Sequence, residues 1–398
     1  MENWTMMILV LLLVALLHSF QVYSDVSGES WLSIDCGATT ASVDALTLRA
    51  WETDDKFIAT GENKRLSTPT NLPQMATLRS FPNGSKNCYN LPLKPQSKYL
   101  VRAGFHYGNY DNLQNPPTFD LQLQSGNLNV NVTTSLDFDP IYHEFITFTT
   151  ERSVFDVCLI RTQENQVPFI STLEATIIDR EVYRLMNTNM ALSLVSRINY
   201  GVGQSVPDRF NEFVEKYNRI WKPQEVPGYL SSQFGVSIPI SYTVEENNPP
   251  DVVMYSAIEA NNASESIVLP IDFPDETQVS AYFILYFDII AAYRILEDTR
   301  TVSIFIEGQL MNTTRLPGIG RGEVVSIYPV KVTGGTANLT VSPAEGTTSP
   351  ALLNAIEVFS VIDVSKVARS SDSVLGTSFG LVPFAWLFYY CMVWYYRM

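Results

Sequence analysis

One strand pattern occurs twice in this chain, 183 positions apart, and that duplication limits the possible folds more than any other feature. In the first copy, Tyr99, Val101, Ala103, Phe105 and Tyr107 occupy alternate positions. Phe119, Leu121 and Leu123 then alternate with Asp120, Gln122 and Gln124. A period of two is a strand with one buried face. Moving 183 residues along, Tyr99 falls on Tyr282, Leu100 on Phe283 and Tyr110 on Tyr293. Thr118-Phe-Asp-Leu-Gln-Leu falls on Thr301-Val-Ser-Ile-Phe-Ile, and Leu173-Glu174 on Ile356-Glu357. The unit is too long for a solenoid repeat and long enough to bury its own core. Short β segments with turn punctuation and few helical stretches make each copy an all-β sandwich. The segment Ala281 to Phe287 is apolar on both faces, as a central strand is. Residues 29–180 and 195–363 form the two domains, joined at roughly 180–194 by a packed junction with no Pro/Gly/Ser run. Trp221 reads as a packing residue.

The loop from Gly108 to Pro117 separates the two organising strands of the first copy. Tyrosines, amides and a carboxylate on a loop held by a rigid frame suit recognition of a sugar or a peptide. The candidate ligand-binding residues are Tyr107, Asn109, Tyr110, Asp111 and Phe169. A pyranose offers an apolar face for ring stacking and a rim of hydroxyls for Asp111 and Asn109. The competing reading places Tyr107 in the core and leaves the loop as a simple turn. In the second copy Gly108-Asn-Tyr-Asp becomes Ala291-Ala-Tyr-Arg, so the two copies have unequal roles.

The formal net charge is −15 and no Lys/Arg cluster occurs, which disfavours nucleic-acid binding. Residues 6–17 are an apolar run, followed by small residues at Val22 and Ser24. This is a secretory signal peptide over residues 1–24, although its first residues carry Glu2 and no basic side chain. Five glycosylation sequons follow, at Asn83, Asn131, Asn262, Asn312 and Asn338, in keeping with the secretory pathway. Cys36, Cys88 and Cys158 permit one disulfide and one leftover thiol, with all three pairings open. Cys158, on a strand, also reads as a simple buried thiol.

Residues 374–396 carry no charge and, at about 1.5 Å per residue, can cross a bilayer core of about 30 Å. They are a candidate single-pass plasma-membrane anchor. A cleaved lipid-anchor signal, which leaves a lipid-anchored or secreted product, and a tail from a truncated transcript are the alternatives.

Nothing in the sequence assembles catalysis. His106 and His143 are the only histidines after the signal peptide, and no metal-ligand spacing occurs, so neither metal nor cofactor is expected. Gly376-Thr-Ser-Phe-Gly380 matches a nucleophile-elbow pattern without the strand–turn–helix context that gives it meaning. Asp54-Asp55 reads as a pair of surface acids.

Several ordered motifs resemble the plant malectin-like domain. They are Trp31-Leu-Ser-Ile-Asp-Cys-Gly37, Leu78-Arg-Ser-Phe-Pro-Asn-Gly84 with Asn87-Cys-Tyr89, and Gly104-Phe-His-Tyr-Gly-Asn-Tyr-Asp111. Val157-Cys-Leu159, Pro168-Phe-Ile-Ser-Thr-Leu-Glu174, Tyr217-Asn-Arg-Ile-Trp-Lys-Pro223 and Leu353-Asn-Ala-Ile-Glu-Val358 extend the match over roughly residues 29–363. The resemblance implies two tandem malectin-like β-sandwiches of jelly-roll type, as in the extracellular part of leucine-rich-repeat receptor-like kinases. It also implies a carbohydrate-binding ectodomain that senses a cell-wall oligosaccharide held by loop aromatics and an acid, the alternative being a protein-interaction ectodomain without a sugar site that binds a peptide ligand or a co-receptor kinase. The chain carries neither leucine-rich repeats after Asp363 nor kinase signatures, so a non-enzymatic ectodomain is expected.

Overall fold

The computed structural model describes residues 31–365 apart from 68–71, 125–127, 138, 152–153, 234–245, 275, 290–299 and 318–321. The expected signal peptide, the 374–396 segment and the Ala291–Arg294 loop lie outside the described residues.

The first half contains β1 (Trp31–Asp35), β2 (Ser42–Val43), β3 (Ala50–Thr53), β4 (Glu62–Arg65), β5 (Thr77–Ser80), β6 (Lys86–Leu91) and β7 (Lys98–Phe105). It continues with β8 (Thr118–Leu123), β9 (Leu128–Thr133), β10 (Ile141–Phe148), β11 (Phe155–Ile160), β12 (Phe169–Ile170) and β13 (Thr172–Ile177). The second half opens with β14 (Met190–Tyr200), β15 (Lys222–Gln224), β16 (Leu230–Gln233), the short helix α1 (Asp251–Met254), β17 (Ser256–Glu259) and β18 (Ile267–Asp272). It closes with β19 (Val279–Phe287), β20 (Thr301–Ile306), β21 (Gln309–Arg315), β22 (Glu323–Val332), β23 (Thr336–Pro343), β24 (Leu352–Leu353) and β25 (Ala355–Asp363).

The halves repeat closely, with β2 lacking a counterpart among the described residues. In the first, an outer sheet runs β6-β11-β8-β9 and in the second β18-β23-β20-β21. A small sheet β12-β5-β4 has its counterpart in β24-β17-β16. The inner strands β1-β13-β7-β10 correspond to β14-β25-β19-β22, and β10 pairs with β14, so the two inner sheets merge into one. The repeat spacing survives in the coordinates: β20 and β25 begin 183 residues after β8 and β13.

Both cores lie on the same face of this continuous sheet. The odd positions of β7 (Tyr99, Val101, Ala103, Phe105) pack against the outer sheet of the first half. Ala281, Phe283, Leu285 and Phe287 of β19 do the same in the second. On the opposite face Leu100, Ile146, Tyr282, Ile284 and Tyr286 meet a third apolar layer that includes Val182, Tyr183, Trp221, Val253 and Met254. This explains why β19 is apolar on both sides. It also places Trp221 in packing, with its indole N–H donating to Glu215 at 2.9 Å.

Within that third layer runs a chain of buried charge that the sequence does not announce. Arg102 reaches Glu174 at 3.4 Å and Glu144 at 2.6 Å; Arg197 reaches Glu144 at 2.7 Å and Glu357 at 2.8 Å. Arg219, from the covering segment, meets Glu357 at 3.3 Å and Glu215 at 3.2 Å. Acid and base thus alternate across β13, β7, β10, β14 and β25. Burial pushes the Glu174 carboxyl up, and the Arg209 and Arg102 guanidiniums more than reverse it, bringing it to about 2. Glu144 and Glu357 are held below their ordinary values in the same way.

Cys88 and Cys158 stand opposite each other on β6 and β11 and form a disulfide. The leftover thiol is therefore Cys36, which is buried, and the reading of Cys158 as a free thiol is corrected. Asp54 is likewise no surface acid. It is fully buried and accepts hydrogen bonds from Arg79 Nε and Nη2 (2.6 Å each), the Tyr89 hydroxyl (2.9 Å) and the Gly37 amide (3.1 Å).

Candidate ligand-binding site

The candidate loop leaves the end of β7 through two residues in the left-handed region, Gly108 (φ 48°) and Asn109 (φ 53°). A Cβ at Gly108 would lie 2.6 Å from the tip of the Leu66 side chain, which would have to turn aside, and the φ of 48° itself favours glycine. Backbone bonds from Tyr110 N to Tyr107 O (3.2 Å) and from Asn112 N to Asn109 O (3.1 Å) close two successive turns.

The polar groups singled out from the sequence are drawn into building those turns. Asp111 Oδ1 accepts the Tyr107 hydroxyl at 2.5 Å and the Leu113 amide at 3.0 Å. Asn109 Oδ1 accepts the Gln114 amide at 2.8 Å, and the Asn115 amide donates to the Tyr107 hydroxyl at 3.3 Å. Burial and the Asp111 bond push the Tyr107 phenol up to about 12. These are Asx-type contacts, in which a short side chain supplies what the turning backbone lacks.

The aromatic candidates come together. Tyr107 and Tyr110 are edge-to-face at 5.6 Å, and Tyr110 lies 5.6 Å from Phe169. Tyr107 is only 1% exposed and Phe169 is fully buried, where it also meets Phe105 and Phe119. Both are therefore floor. Asn109, Tyr110 and Asp111 are half-buried, and Leu113 stands well exposed beyond them. What the loop presents outward is an apolar edge, Tyr110 with Leu113, beside the exposed side-chain amides of Asn112, Gln114 and Asn115, on a turn closed by Asn109 Oδ1 and Asp111 Oδ1.

Among the described residues no three His, Cys, Asp or Glu side chains gather as metal ligands, and no helix is long and apolar enough to cross a membrane. The five sequon asparagines are all exposed. Asn131, Asn312 and Asn338 lie on strands of the outer sheets, and Asn83 and Asn262 precede β6 and β18.

The sequence profile of the malectin-like domain matches residues 34–361. An uncharacterized Arabidopsis thaliana protein, At1g24485, is 30% identical over 91% of this chain and 70% of its own length. The receptor-like protein kinase At3g21340 from the same plant is 29% identical over 94% of this chain. This chain spans only 41% of that kinase's length. Among solved structures, the ANX2 ectodomain from Arabidopsis thaliana superposes with a TM-score of 0.67 at 17% identity, over 83% of this chain and 96% of that one. A complex of the plant peptide RALF23 with FER and LLG2 gives 0.65 at 16% identity, over 84% of this chain and 96% of that one. At such identities the structural likeness is one of fold alone. The profile match, which spans nearly all the described residues, shows that the chain belongs to the malectin-like domain family.

Proposed function

We propose that this chain is a non-catalytic extracellular recognition module, held at the plasma membrane by residues 374–396, whose ligand is a secreted peptide acting with a co-receptor. One observation carries the choice of ligand. Asn109 Oδ1 and Asp111 Oδ1, which a sugar's hydroxyls would call on, are engaged within the loop, while Tyr110 and Leu113 offer apolar contact. Peptide side chains suit such a surface better than a ring of hydroxyls does. The peptide-bound neighbour, the complex of RALF23 with FER and LLG2, supports the same reading. The five exposed sequons support passage through the secretory pathway and glycosylation at those sites.

Carbohydrate binding is the second reading. It rests on the Tyr110 ring, backed by Tyr107 and Phe169, as a stacking platform.

The full chain made in a plant secretory host separates the two. On a cell-wall glycan array it is expected to give no signal above background. Against a panel of secreted plant peptides that includes RALF23, offered with LLG2, binding is expected and weakens at least tenfold in Tyr110→Ser/Leu113→Ser. A glycan signal that disappears in Tyr110→Ala and Asp111→Ala would overturn the peptide reading.

A further inference from the structure

Two turns outside the candidate site hold large apolar side chains in solvent, side by side. In the first, Asp44 accepts the Leu46 amide at 3.0 Å and the Thr47 hydroxyl at 2.6 Å, and the Leu48 amide bonds back to Asp44 O at 2.8 Å. Leu46 is left 82% exposed, and Leu48 stands outward with a φ of 59°, a conformation leucine rarely adopts. In the second, Asn211 Oδ1 accepts the amides of Phe213 (3.1 Å) and Val214 (3.2 Å), leaving Phe213 83% exposed. Arg49 ties the turns together: its guanidinium lies 4.7 Å over the Trp31 ring and donates to Glu215 O at 3.4 Å. Both tips are thus built by side-chain capping of a rigid turn and are not frayed segments. Exposed apolar clusters of this kind mark contact surfaces.

Strand register shows which end of the molecule carries them. Trp31 stands opposite Thr176, Ile177 opposite Tyr99, Lys98 opposite Phe148, and Met190 opposite Asp363. The start of β1, beside the two turns, and the end of β25, where the described chain stops at Ser365, therefore share one end of the continuous sheet. The candidate recognition loop follows Phe105, at the other end. The sequons lie on or beside the outer sheets, which pack on one face of the continuous sheet; the segment bearing Phe213 covers the opposite face. Residues 366–373, fully extended, reach at most about 28 Å before the apolar stretch begins at Val374.

We propose that this is the membrane-facing end, and that Leu46, Leu48 and Phe213 dip into the interfacial layer of a zwitterionic lipid surface. The proposal rests on the reading that residues 374–396 cross the bilayer, which would hold this end within the spacer's reach of the headgroups. Insertion of apolar tips into that layer, typically about 5–10 Å deep, draws on apolar burial. Asp208 and Glu212 flank the Phe213 turn, and the nearby cations Arg209 and Lys216 are paired with Glu174 (3.1 Å) and Asp179 (2.6 Å), whereas recognition of anionic headgroups would need a cluster of Lys and Arg.

The test uses the full chain in phosphatidylcholine vesicles containing a phosphatidylcholine with a photoactivatable acyl chain, with labelled peptides mapped by mass spectrometry. Label is expected within 374–396, reporting the tether, and within 43–48 and 211–214. Leu46→Ser/Phe213→Ser, at exposed positions, is expected to secrete normally and to cut the label on the two turns at least fivefold while tail labelling stays constant. A labelled tail with unlabelled turns, or turn labelling indifferent to the double substitution, overturns the proposal while leaving the tether standing. Absence of label from tail and turns alike overturns both. Label on the two turns, without lipid, from a photoactivatable cross-linker that joins them to a second copy or to the chain's own tail would assign them to that occupant instead, and would also overturn it.

Discussion

Asp35 shows how a single buried group can make stability depend on pH. It lies at the end of β1, opposite Thr172, and accepts a short hydrogen bond from the Thr77 hydroxyl. Burial pushes its carboxyl up to about 7, with the Thr77 bond opposing. A raised carboxylate is stabilised in its protonated form by folding. Its contribution is complete below the unfolded value of 3.8 and is lost as pH rises through about 7. Glu174 has the opposite sign: its contribution is present above 4.5 and lost as pH falls toward about 2. Asp35→Asn keeps an acceptor for Thr77 and removes the charge. We expect it to raise stability at pH 7 and to flatten a slope of up to about 1.4 kcal/mol per pH unit between pH 4 and 7. Denaturant titrations at pH 4, 5.5 and 7 check this, and an unchanged slope would refute the assignment.

At the scale of elements, the first inner strand of each half ends in the same device. Gly37 follows β1 at φ 76°, and Gly201 follows β14 at φ 77°. A Cβ at Gly37 would stand 2.1 Å from Leu78 O, on β5, and one at Gly201 2.2 Å from Ala257 O, on β17. Backbone meets backbone at both places, so no side chain can yield. Gly37→Ala and Gly201→Ala are each expected to cost more than about 4 kcal/mol, among the largest effects of single substitutions, and to abolish secretion. Gly334 has φ 81° but open space around it, and Gly334→Ala is expected to cost only about 1 kcal/mol. Secreted yield and urea midpoints measure the contrast; equal effects at the three positions would show that close approach is not what selects glycine.

Across the whole molecule the two halves share one continuous sheet. Only Phe145↔Ser193 and Ile146↔Leu192 join β10 to β14 in the ladder, a short backbone seam for two domains. Arg197 reinforces it by binding Glu144 in the first half and Glu357 in the second, and Arg102 adds a bond to Asn218 O at 2.5 Å. We expect a single calorimetric unfolding transition for the unaltered chain; two resolved transitions would show the halves to be independent. Arg197→Ala leaves two buried carboxylates short of a partner and is expected to cost about 3–5 kcal/mol.

The duplicated all-β frame was legible in the amino-acid order, because strand alternation and its 183-residue echo are local patterns that survive without coordinates. That order also located an aromatic loop on the frame. What Tyr107, Phe169 and Asp111 do there was decided by tertiary structure. Ring burial depends on β12 crossing beneath the loop, and the Asp111 oxygen is engaged by a hydroxyl that chain direction alone does not place. The same holds for Asp54, the Cys88–Cys158 bond and the Glu–Arg chain. Apart from the i,i+4 pair Arg219–Glu215, their partners are far off in the chain, and a charged side chain in sequence looks alike whether water or a buried guanidinium surrounds it. Only the closing of one sheet across both halves brings those charges into a row and leaves Leu46 and Phe213 outside it.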